Sequence, residues 1–201
     1  MQQDQSARIV IAITGATGAI YGIRLLEALR DTPIETHLVM SEWAAKTISI
    51  ETTFRPDEVM ALADRTYRSQ NQAASISSGS FLTRGMIIAP CSGKTLAAIA
   101  NGYSDNLVSR AADVTLKEHR KLVLMVRESP LSLIHLRNML SAAEAGAIIA
   151  PPVPAFYAHL QDLDEMVDHT VGRLLDQFDI QHSLVRRWSD SQNGRTADRS
   201  S

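Results

Sequence analysis

The sequence predicts an α/β fold: a doubly wound, mostly parallel sheet in a three-layer sandwich of the Rossmann or flavodoxin-like type. Two observations predict it. Short runs of Val, Ile and Leu alternate along the chain with longer amphipathic stretches, and within each run the apolar residues are continuous. Continuously apolar strands are typical of parallel sheets that are buried on both faces, so helices are expected on each side.

Five of the apolar runs have the length of strands. They are Arg8–Thr14, Glu35–Met40, Gly85–Ala89, Lys121–Val126 and Ala147–Ala150. We expect the third strand to end at Pro90 and the fifth to stop at Pro151, because proline has no N–H group to donate to a neighbouring strand.

Helices are predicted between these strands. The first runs from Gly18 to Arg30, and the second begins at about Ser41. Ser132 is a suitable N-cap for a later helix with apolar residues at helical spacing, namely Leu133, Leu136, Leu140 and Ala143. The last helix shows the same spacing, at Leu163, Met166, Val167, Leu174, Leu175 and Phe178.

Length and composition predict a single domain over residues 8–188, with disordered polar ends at 1–7 and 189–201. The net charge of −2 offers no basic field for nucleic acid or an anionic membrane, and the single cysteine excludes an internal disulfide. No apolar run approaches the ~18 residues of a membrane span, and the polar N-terminus lacks signal-peptide character. We therefore expect a cytoplasmic protein.

A glycine-containing loop, Thr14–Gly22, joins the first strand to the first helix. Glycines at 15, 18 and 22 permit backbone N–H groups to approach a phosphate at the start of that helix. The spacing is not the G-x-G-x-x-G of dinucleotide folds, and a tight turn with small residues is the alternative. The Tyr-x-x-x-Lys signature of short-chain reductases is absent, although Glu42 after the second strand leaves a nicotinamide alternative open.

A second polar loop, Ala89–Thr95, follows the third strand. Gly93-Lys94-Thr95 resembles the end of a P-loop, but Ile88 stands where the leading glycine is required, which excludes that motif. Ser92 is a natural N-cap for the next helix and lacks the G-x-S-x-G context of a nucleophile. Cys91 lies beside a buried strand and is predicted to be packed rather than reactive.

Short motifs in a fixed order between Arg8 and Trp188 are together more specific than either loop. They are Gly-Ala-Thr-Gly-Ala (15–19), Glu-Thr-His-Leu-Val-Met-Ser (35–41), Ser-Ile-Ser-Ser-Gly-Ser-Phe (75–81), Pro-Cys-Ser-x-Lys-Thr (90–95), Arg-Ala-Ala-Asp-Val (110–114), Val-Arg-Glu (126–128), His-Leu-Arg-Asn-Met (135–139) and Pro-Pro-Val-Pro-Ala-Phe-Tyr (151–157). In these motifs the chain resembles the flavin prenyltransferases of the UbiX type, a family that includes subunits first named for phenolic-acid or phenylacrylic-acid decarboxylases. Lys94 favours this branch over the related flavin-dependent cysteine decarboxylases.

The resemblance implies a metal-independent transfer of a dimethylallyl group from dimethylallyl monophosphate to N5 and C6 of reduced FMN. It further implies that the product, prenylated FMN, serves a UbiD-type decarboxylase, and that the enzyme is a homododecamer. Two alternatives remain at this stage. One is a flavin-dependent decarboxylase that acts directly on an aromatic or cysteine-derived acid, and the other is a flavin-binding accessory subunit without activity of its own.

The resemblance also implies roles for individual residues. FMN contacts are expected at Gly15, Ala16, Thr17, Ser41, Ser92, Gly93, Lys94, Thr95 and Arg127. Substrate phosphate contacts and catalysis are expected at Lys117, Arg127, Glu128, Tyr157 and Arg173, and Trp188 is expected to help close the pocket. Two positions depart from the family, since Gly93 stands where Met or Ile is usual and Thr17 replaces the commoner Ser.

These residue types suit the departure of a phosphate group. Fixed cations such as Arg127 and Arg173 stabilise the negative charge that develops, and Tyr157 is able to donate a hydrogen bond to the departing oxygen. Glu128 is placed to orient Arg127 or to relay a proton. Without the resemblance, each would be interpreted as an ordinary surface or packed residue. No spacing of His, Cys and Asp indicates a metal site, and His135 is predicted to be structural.

Overall fold

The computed structural model describes residues 8–188, in which six strands form one sheet. The strands are β1 Arg8–Ile13, β2 Glu35–Met40, β3 Arg65–Arg68, β4 Gly85–Cys91, β5 Lys121–Val126 and β6 Ala147–Ile149. The α-helices are α1 Ala19–Leu29, α2 Glu42–Glu51, α3 Pro56–Met60, α4 Gly93–Ala100, α5 Leu107–Lys117, α6 Leu133–Glu144 and α7 Leu163–Asp176. The ends predicted to be disordered, 1–7 and 189–201, lie outside the described residues.

Every strand pairs with its neighbours in parallel, in the order β3-β2-β1-β4-β5-β6. Side chains of β1 alternate between the two faces of the sheet, as a strand requires. Ile9, Ile11 and Ile13 pack against the layer of α1, α2, α3 and α7, whereas Val10 and Ala12 pack against α4, α5 and α6. The predicted doubly wound, three-layer fold is confirmed.

The strand order reverses between β1 and β4. From β1 the chain continues to β2 on one side, and it later returns to place β4 on the other side. In sheets of this kind, ligands bind in the crevice beyond the carboxyl ends of the strands at such a reversal. The loops after β1 and β4 flank that crevice. The fold therefore predicts that residues 14–18 and 91–95 line a ligand site.

Two strand predictions were incomplete. The edge strand β3 was not predicted, because Arg-Thr-Tyr-Arg carries no apolar run and pairs only with β2. Strand β4 does not end before Pro90 but continues to Cys91. Its pairing with β5 shifts register between Ile88 and Cys91, and the missing N–H of Pro90 falls within that irregularity.

Helix α6 begins after Ser132, as predicted, and the Ser132 hydroxyl accepts a hydrogen bond from the His135 amide. Its apolar residues are nevertheless largely uncovered. Leu133 is 60% exposed and Leu140 59% exposed, and within α6 only Ala142 is buried. Helical spacing therefore predicted the helix correctly. The apolar side chains at that spacing, however, are not buried by the rest of the described chain. Among the described helices, none combines the length and apolar character needed to cross a membrane.

Gly22 provides a test of how α1 packs on the sheet. A Cβ atom there would lie 2.4 Å from the Ala89 carbonyl oxygen and 2.7 Å from Ile13 Cγ1. We expect Gly22→Ala to lower the free energy of unfolding by about 1–3 kcal/mol in urea denaturation, because the backbone oxygen cannot move aside. Gly93→Ala is the matched control, since its nearest atoms are 3.6 Å away or more and the change is expected to be neutral or stabilising. Equal effects of the two substitutions would contradict this packing.

Candidate functional site

A cavity of about 360 Å³ lies beyond the carboxyl ends of the strands, where three helices begin. Ser41 is the N-cap of α2, Ser92 the N-cap of α4, and Asn106 the N-cap of α5. Each helix start carries a partial positive charge and N–H groups that favour an anion. Lys94 lines the same cavity and adds a full positive charge. The arrangement is suited to a phosphate group.

Gly15 and Trp43 form another wall of this cavity. A Cβ atom on Gly15 would lie 2.4 Å from Trp43 Cβ, so only glycine permits this close approach. The Trp43 side chain is exposed, and Lys46 Nζ lies 4.2 Å from the centre of a Trp43 ring. Trp43 was not predicted as a site residue. Its position, two residues after the N-cap at the end of β2, is the signal that was available in the sequence.

The Thr14 side chain connects the two loops that flank the crevice. Its hydroxyl donates to the Pro90 carbonyl at 2.7 Å and accepts from the Ser92 amide at 2.8 Å. Thr14 is almost fully buried, so its bond to Pro90 is shielded from water, while the bond from the Ser92 amide is partly buried. They fix the start of α4 relative to the loop after β1.

Two backbone amides at the start of α1 already have a hydrogen-bond partner. Glu51 Oε2 accepts hydrogen bonds from the amides of Gly18 at 2.8 Å and Ala19 at 3.2 Å. A carboxylate thus takes the place that an incoming phosphate would need. Glu51 belongs to α2 and lies 33 residues along the chain from Gly18, which is why the sequence pattern did not point to it. Glu51 binds these two amides, whereas Gly15 of the same loop lines the cavity.

Glu128 and His135 lie above the first residue of α4. From the position that a Gly93 Cβ atom would take, His135 Nε2 is 3.6 Å away and Glu128 Oε2 is 3.7 Å away. A Cβ atom at position 93 would therefore make ordinary van der Waals contacts with these two side chains. His135 Nδ1 accepts from the Ser132 amide at 3.2 Å, so this nitrogen takes part in capping α6. Arg127 lies near Tyr21. Burial raises the pKa of the Tyr21 hydroxyl, and a hydrogen bond with Thr170 and the charge of Arg127 offset only part of that rise.

Two other polar groups considered from the sequence have structural partners. Cys91 is fully buried, and burial raises the pKa of its thiol to about 12, so it is packed and unreactive as predicted. The Glu42 carboxylate accepts a hydrogen bond from the Gln70 side chain at the sheet edge. In the part of the chain covered by residues 8–188, no group of three or more His, Cys, Asp or Glu side chains is arranged to hold a metal ion.

Lys117 lies at the opposite end of the sheet from the cavity. It ends α5 and pairs with Glu118, beside Arg120, which donates to the carbonyls of Gly79 and Phe81. Strand β5 follows Lys117 and precedes Arg127, and its six residues span about 17 Å at ~3.3 Å per residue. Within one chain, Lys117 and Arg127 therefore cannot bind the same phosphate.

Tyr157, Arg173 and Trp188 form a third group around α7. The Tyr157 hydroxyl is 3.5 Å from His169 Nε2, and its ring packs edge-to-face on Trp188 with centroids 5.5 Å apart. Arg173 lies one helical turn after His169 and pairs with Asp176 at 2.7 Å. The structure thus distributes the predicted site residues over the cavity, the Lys117 end of the sheet, and α7.

Asp176 anchors the segment that follows α7. It pairs with Arg187 at 2.8 Å, His182 at 3.0 Å and Arg173 at 2.7 Å. Burial alone would raise the pKa of this carboxyl, but hydrogen bonds from Arg187 and His182, with Arg173, hold it at about 2. The carboxylate is therefore more stable in the folded chain than in the unfolded one.

Thr14→Val tests the connection between the two loops. The change preserves shape but leaves the partly buried Ser92 amide without its acceptor, so we expect the free energy of unfolding to fall by about 1–3 kcal/mol. Urea denaturation measures it. Thr47→Val is the control, because the exposed Thr47 hydroxyl bonds only the Trp43 carbonyl, and little change is expected there. A loss at Thr14 no larger than at Thr47 would show that the connection contributes nothing.

The pH dependence of stability tests the Asp176 cluster. Because its folded-state pKa of about 2 lies below the usual 3.8, Asp176 stabilises the fold above pH ~4, and this contribution is lost as the pH falls towards 2. We expect Asp176→Asn to cost about 1–2 kcal/mol at neutral pH and to match the parent near pH 2. Asp113→Asn, in an exposed pair with Arg110, is the control with an expected loss below ~0.5 kcal/mol. A pH-independent loss at Asp176 would contradict the assignment.

Comparisons with known proteins agree with this geometry. The sequence matches the family model named Flavoprotein over residues 1–175. It is 59% identical over 184 residues to flavin prenyltransferase UbiX of Escherichia coli strain K12, with 90% of this chain and 97% of that protein covered.

Two solved structures have the same fold with similar sequences. The crystal structure of AnUbiX (PadA1) in complex with FMN and dimethylallyl pyrophosphate is 55% identical, with a TM-score of 0.90 over 92% of this chain and 98% of that one. A dodecameric FMN-dependent UbiX-like decarboxylase from Escherichia coli O157:H7 is 56% identical, with a TM-score of 0.89 over 90% and 99% of the two chains. On this identity and coverage, with the cavity at the reversal of strand order, the chain belongs to the UbiX-type flavin prenyltransferase family.

Proposed function

We propose that this chain joins the dimethylallyl group of dimethylallyl monophosphate to N5 and C6 of reduced FMN, producing prenylated FMN and inorganic phosphate. The observation that carries the proposal is the cavity at the starts of α2, α4 and α5, whose donors and Lys94 suit the FMN phosphate. A relative of 55% identity is a UbiX protein in complex with FMN and dimethylallyl pyrophosphate, which supports the same pair of ligand types here.

FMN would be held by the loops on both sides of the strand-order reversal. Ser41, Ser92, Lys94 and Thr95 surround the cavity, and Gly15 is the position where a Cβ atom would meet Trp43. We assign the remaining flavin contacts to neighbouring residues of the same loops, Ala16, Thr17, Gly93 and Arg127. Bound reduced FMN supplies the nucleophilic ring atoms N5 and C6.

The protein's part in the transfer is to stabilise the departing phosphate and to accept a proton. Arg127, Arg173 and Lys117 would supply positive charge to the phosphate, and the Tyr157 hydroxyl would donate a hydrogen bond to it. Glu128 is suited to accept a proton at Oε2, the oxygen that lies 3.7 Å from the position of a Gly93 Cβ atom at the start of α4. Trp188, packed on Tyr157, would help to exclude water.

We propose that neighbouring copies complete each site, because one chain keeps Lys117 and Arg127 at opposite ends of β5. The uncovered apolar residues of α6, including Leu133 and Leu140, lie on the helix that also carries His135 beside Glu128. Covering them in an assembly would close the open side of the site. A dodecameric relative at 56% identity supports a homododecamer for this chain.

The resemblance further supports a UbiD-type decarboxylase as the user of prenylated FMN, and the composition supports a cytoplasmic location. The enzyme itself is tested by anaerobic incubation with reduced FMN and dimethylallyl monophosphate, followed by mass analysis of the flavin. We expect a flavin that has gained one C5 unit. Release of carbon dioxide from an aromatic or cysteine-derived acid by this chain alone would favour a decarboxylase, and flavin binding without either reaction would favour an accessory subunit.

Separate substitutions distinguish the two ligands. We expect Arg173→Leu and Tyr157→Phe to retain FMN but to slow prenylation by about 10²–10³-fold, because their contacts are strongest as the phosphate departs. Ser92→Ala combined with Thr95→Val is expected to raise the FMN dissociation constant first. Arg55→Leu, on the exposed start of α3, is the control and is expected to change neither. Full activity of Arg173→Leu would show that the phosphate site is misplaced.

Mixed assemblies test whether copies share a site. Lys117→Ala chains and Ser92→Ala/Thr95→Val chains are each expected to be nearly inactive alone, for different reasons. Co-expressed and purified together, they should form some sites with an intact Lys117 and an intact FMN cavity from different copies. We therefore expect the mixture to recover activity beyond the sum of its parents. Assembly without recovery would indicate that each site is contained in one chain.

A further inference from the structure

One carboxylate lines the cavity that otherwise favours negative charge. Asp105 immediately precedes Asn106, the N-cap of α5, and of the described residues that line the cavity it is the single acidic one. The helix starts and Lys94 attract a phosphate, whereas an ionised carboxylate repels it. The Asp105 side chain is exposed to the open space of the cavity, so it would meet a ligand that binds there.

Capping of α5 does not depend on Asp105. Asn106 Oδ1 already accepts from the amides of Val108 at 2.9 Å and Ser109 at 3.2 Å. Asp105 is bound by side chains and not by backbone amides of α5. Its Oδ1 accepts hydrogen bonds from Asn106 Nδ2 at 2.6 Å and from Ser109 Oγ at 3.4 Å. Among residues 8–188, no side chain or amide donates to Asp105 Oδ2, and no cation pairs with it. The carboxylate is thus oriented through one oxygen and keeps the other available.

The chemistry of a carboxylate limits what this free oxygen binds. An ionised carboxylate only accepts hydrogen bonds, so the ligand group beside it must be a donor. A phosphate dianion has no proton to donate, but a polyol phosphate carries hydroxyl groups next to its phosphate. FMN is such a compound, since its ribityl hydroxyls lie between the phosphate and the flavin ring.

We propose that Asp105 accepts a hydrogen bond from a ribityl hydroxyl of FMN and so selects a polyol phosphate at this cavity. This inference rests on the proposed function, which places the FMN phosphate among the starts of α2, α4 and α5. It assigns to Asp105 a part in recognition that is separate from the transfer reaction. The competing explanation is that Asp105 only interacts with the dipole of α5.

The test compares FMN with FMN analogues that each lack one ribityl hydroxyl but keep the phosphate. Dissociation constants are measured by flavin fluorescence for the full-length parent and for Asp105→Ala. We expect the parent to bind at least one deoxy analogue about ten-fold more weakly than FMN, and Asp105→Ala to show no such preference. Asp113→Ala, on the same helix but paired with Arg110 away from the cavity, should keep the parent's preference.

Asp105→Asn is the control for a loss of folding. It keeps the shape of the side chain and an acceptor for Asn106 and Ser109, and it removes only the negative charge. We expect Asp105→Asn to prefer FMN over the deoxy analogues less strongly than the parent does, with an unchanged melting temperature. A parent that binds every deoxy analogue as tightly as FMN would overturn the inference, as would an Asp105→Ala variant that keeps the parent's preference while losing only thermal stability. Failure of the parent to bind FMN at all would instead refute the proposed function.

Discussion

The buried hydroxyl of Thr14 is the interaction on which the site depends. It bonds the Pro90 carbonyl and the Ser92 amide, and so joins the end of β1 to the start of α4 across the place where strand order reverses. Ser92 then caps α4, and the orientation of that helix sets where its free N–H groups and Lys94 meet the cavity. Because Thr14 is buried, a small movement of either loop would leave its hydroxyl without a partner in the protein. The Thr14 hydroxyl therefore fixes the relative position of the two loops that flank the cavity.

Much of the fold was predictable because buried parallel strands leave a strong signal in sequence. The strands β1, β4 and β5 are nearly continuous apolar runs, β2 ends in Leu-Val-Met, and the helices carry caps such as Ser41, Ser92 and Ser132. The edge strand β3 left no such signal, because one side of its ladder has no partner and its residues are polar. The exposure of the apolar side chains of α6 was also not predictable. Helical spacing alone does not reveal whether the surface that covers them belongs to the same chain or to another copy.

The site was predictable to the extent that it lies in loops at strand ends. Ser41, Ser92, Lys94 and Gly15 meet in one cavity, as loops on neighbouring parallel strands should. Residues that reach the site through tertiary contacts were missed. Glu51 binds the start of α1 from the far end of another helix, and Asp105 enters the cavity from a turn with no motif of its own. Neither residue type stands out in a sequence where acids are common on every surface.

The separation of the cations by the length of β5 constrains how copies of this chain would assemble. In the proposed composite site, the Lys117 end of one copy meets the cavity end of the next, so the two surfaces in contact are different. Two kinds of symmetry satisfy this requirement. A heterologous contact makes it once per copy and closes into a ring where its rotation closes, whereas a two-fold pair makes it twice, with the Lys117 end of each copy against the cavity end of the other. In both arrangements the separation along β5 makes the phosphate site a property of the assembly, because the two groups of cations at one phosphate come from different copies.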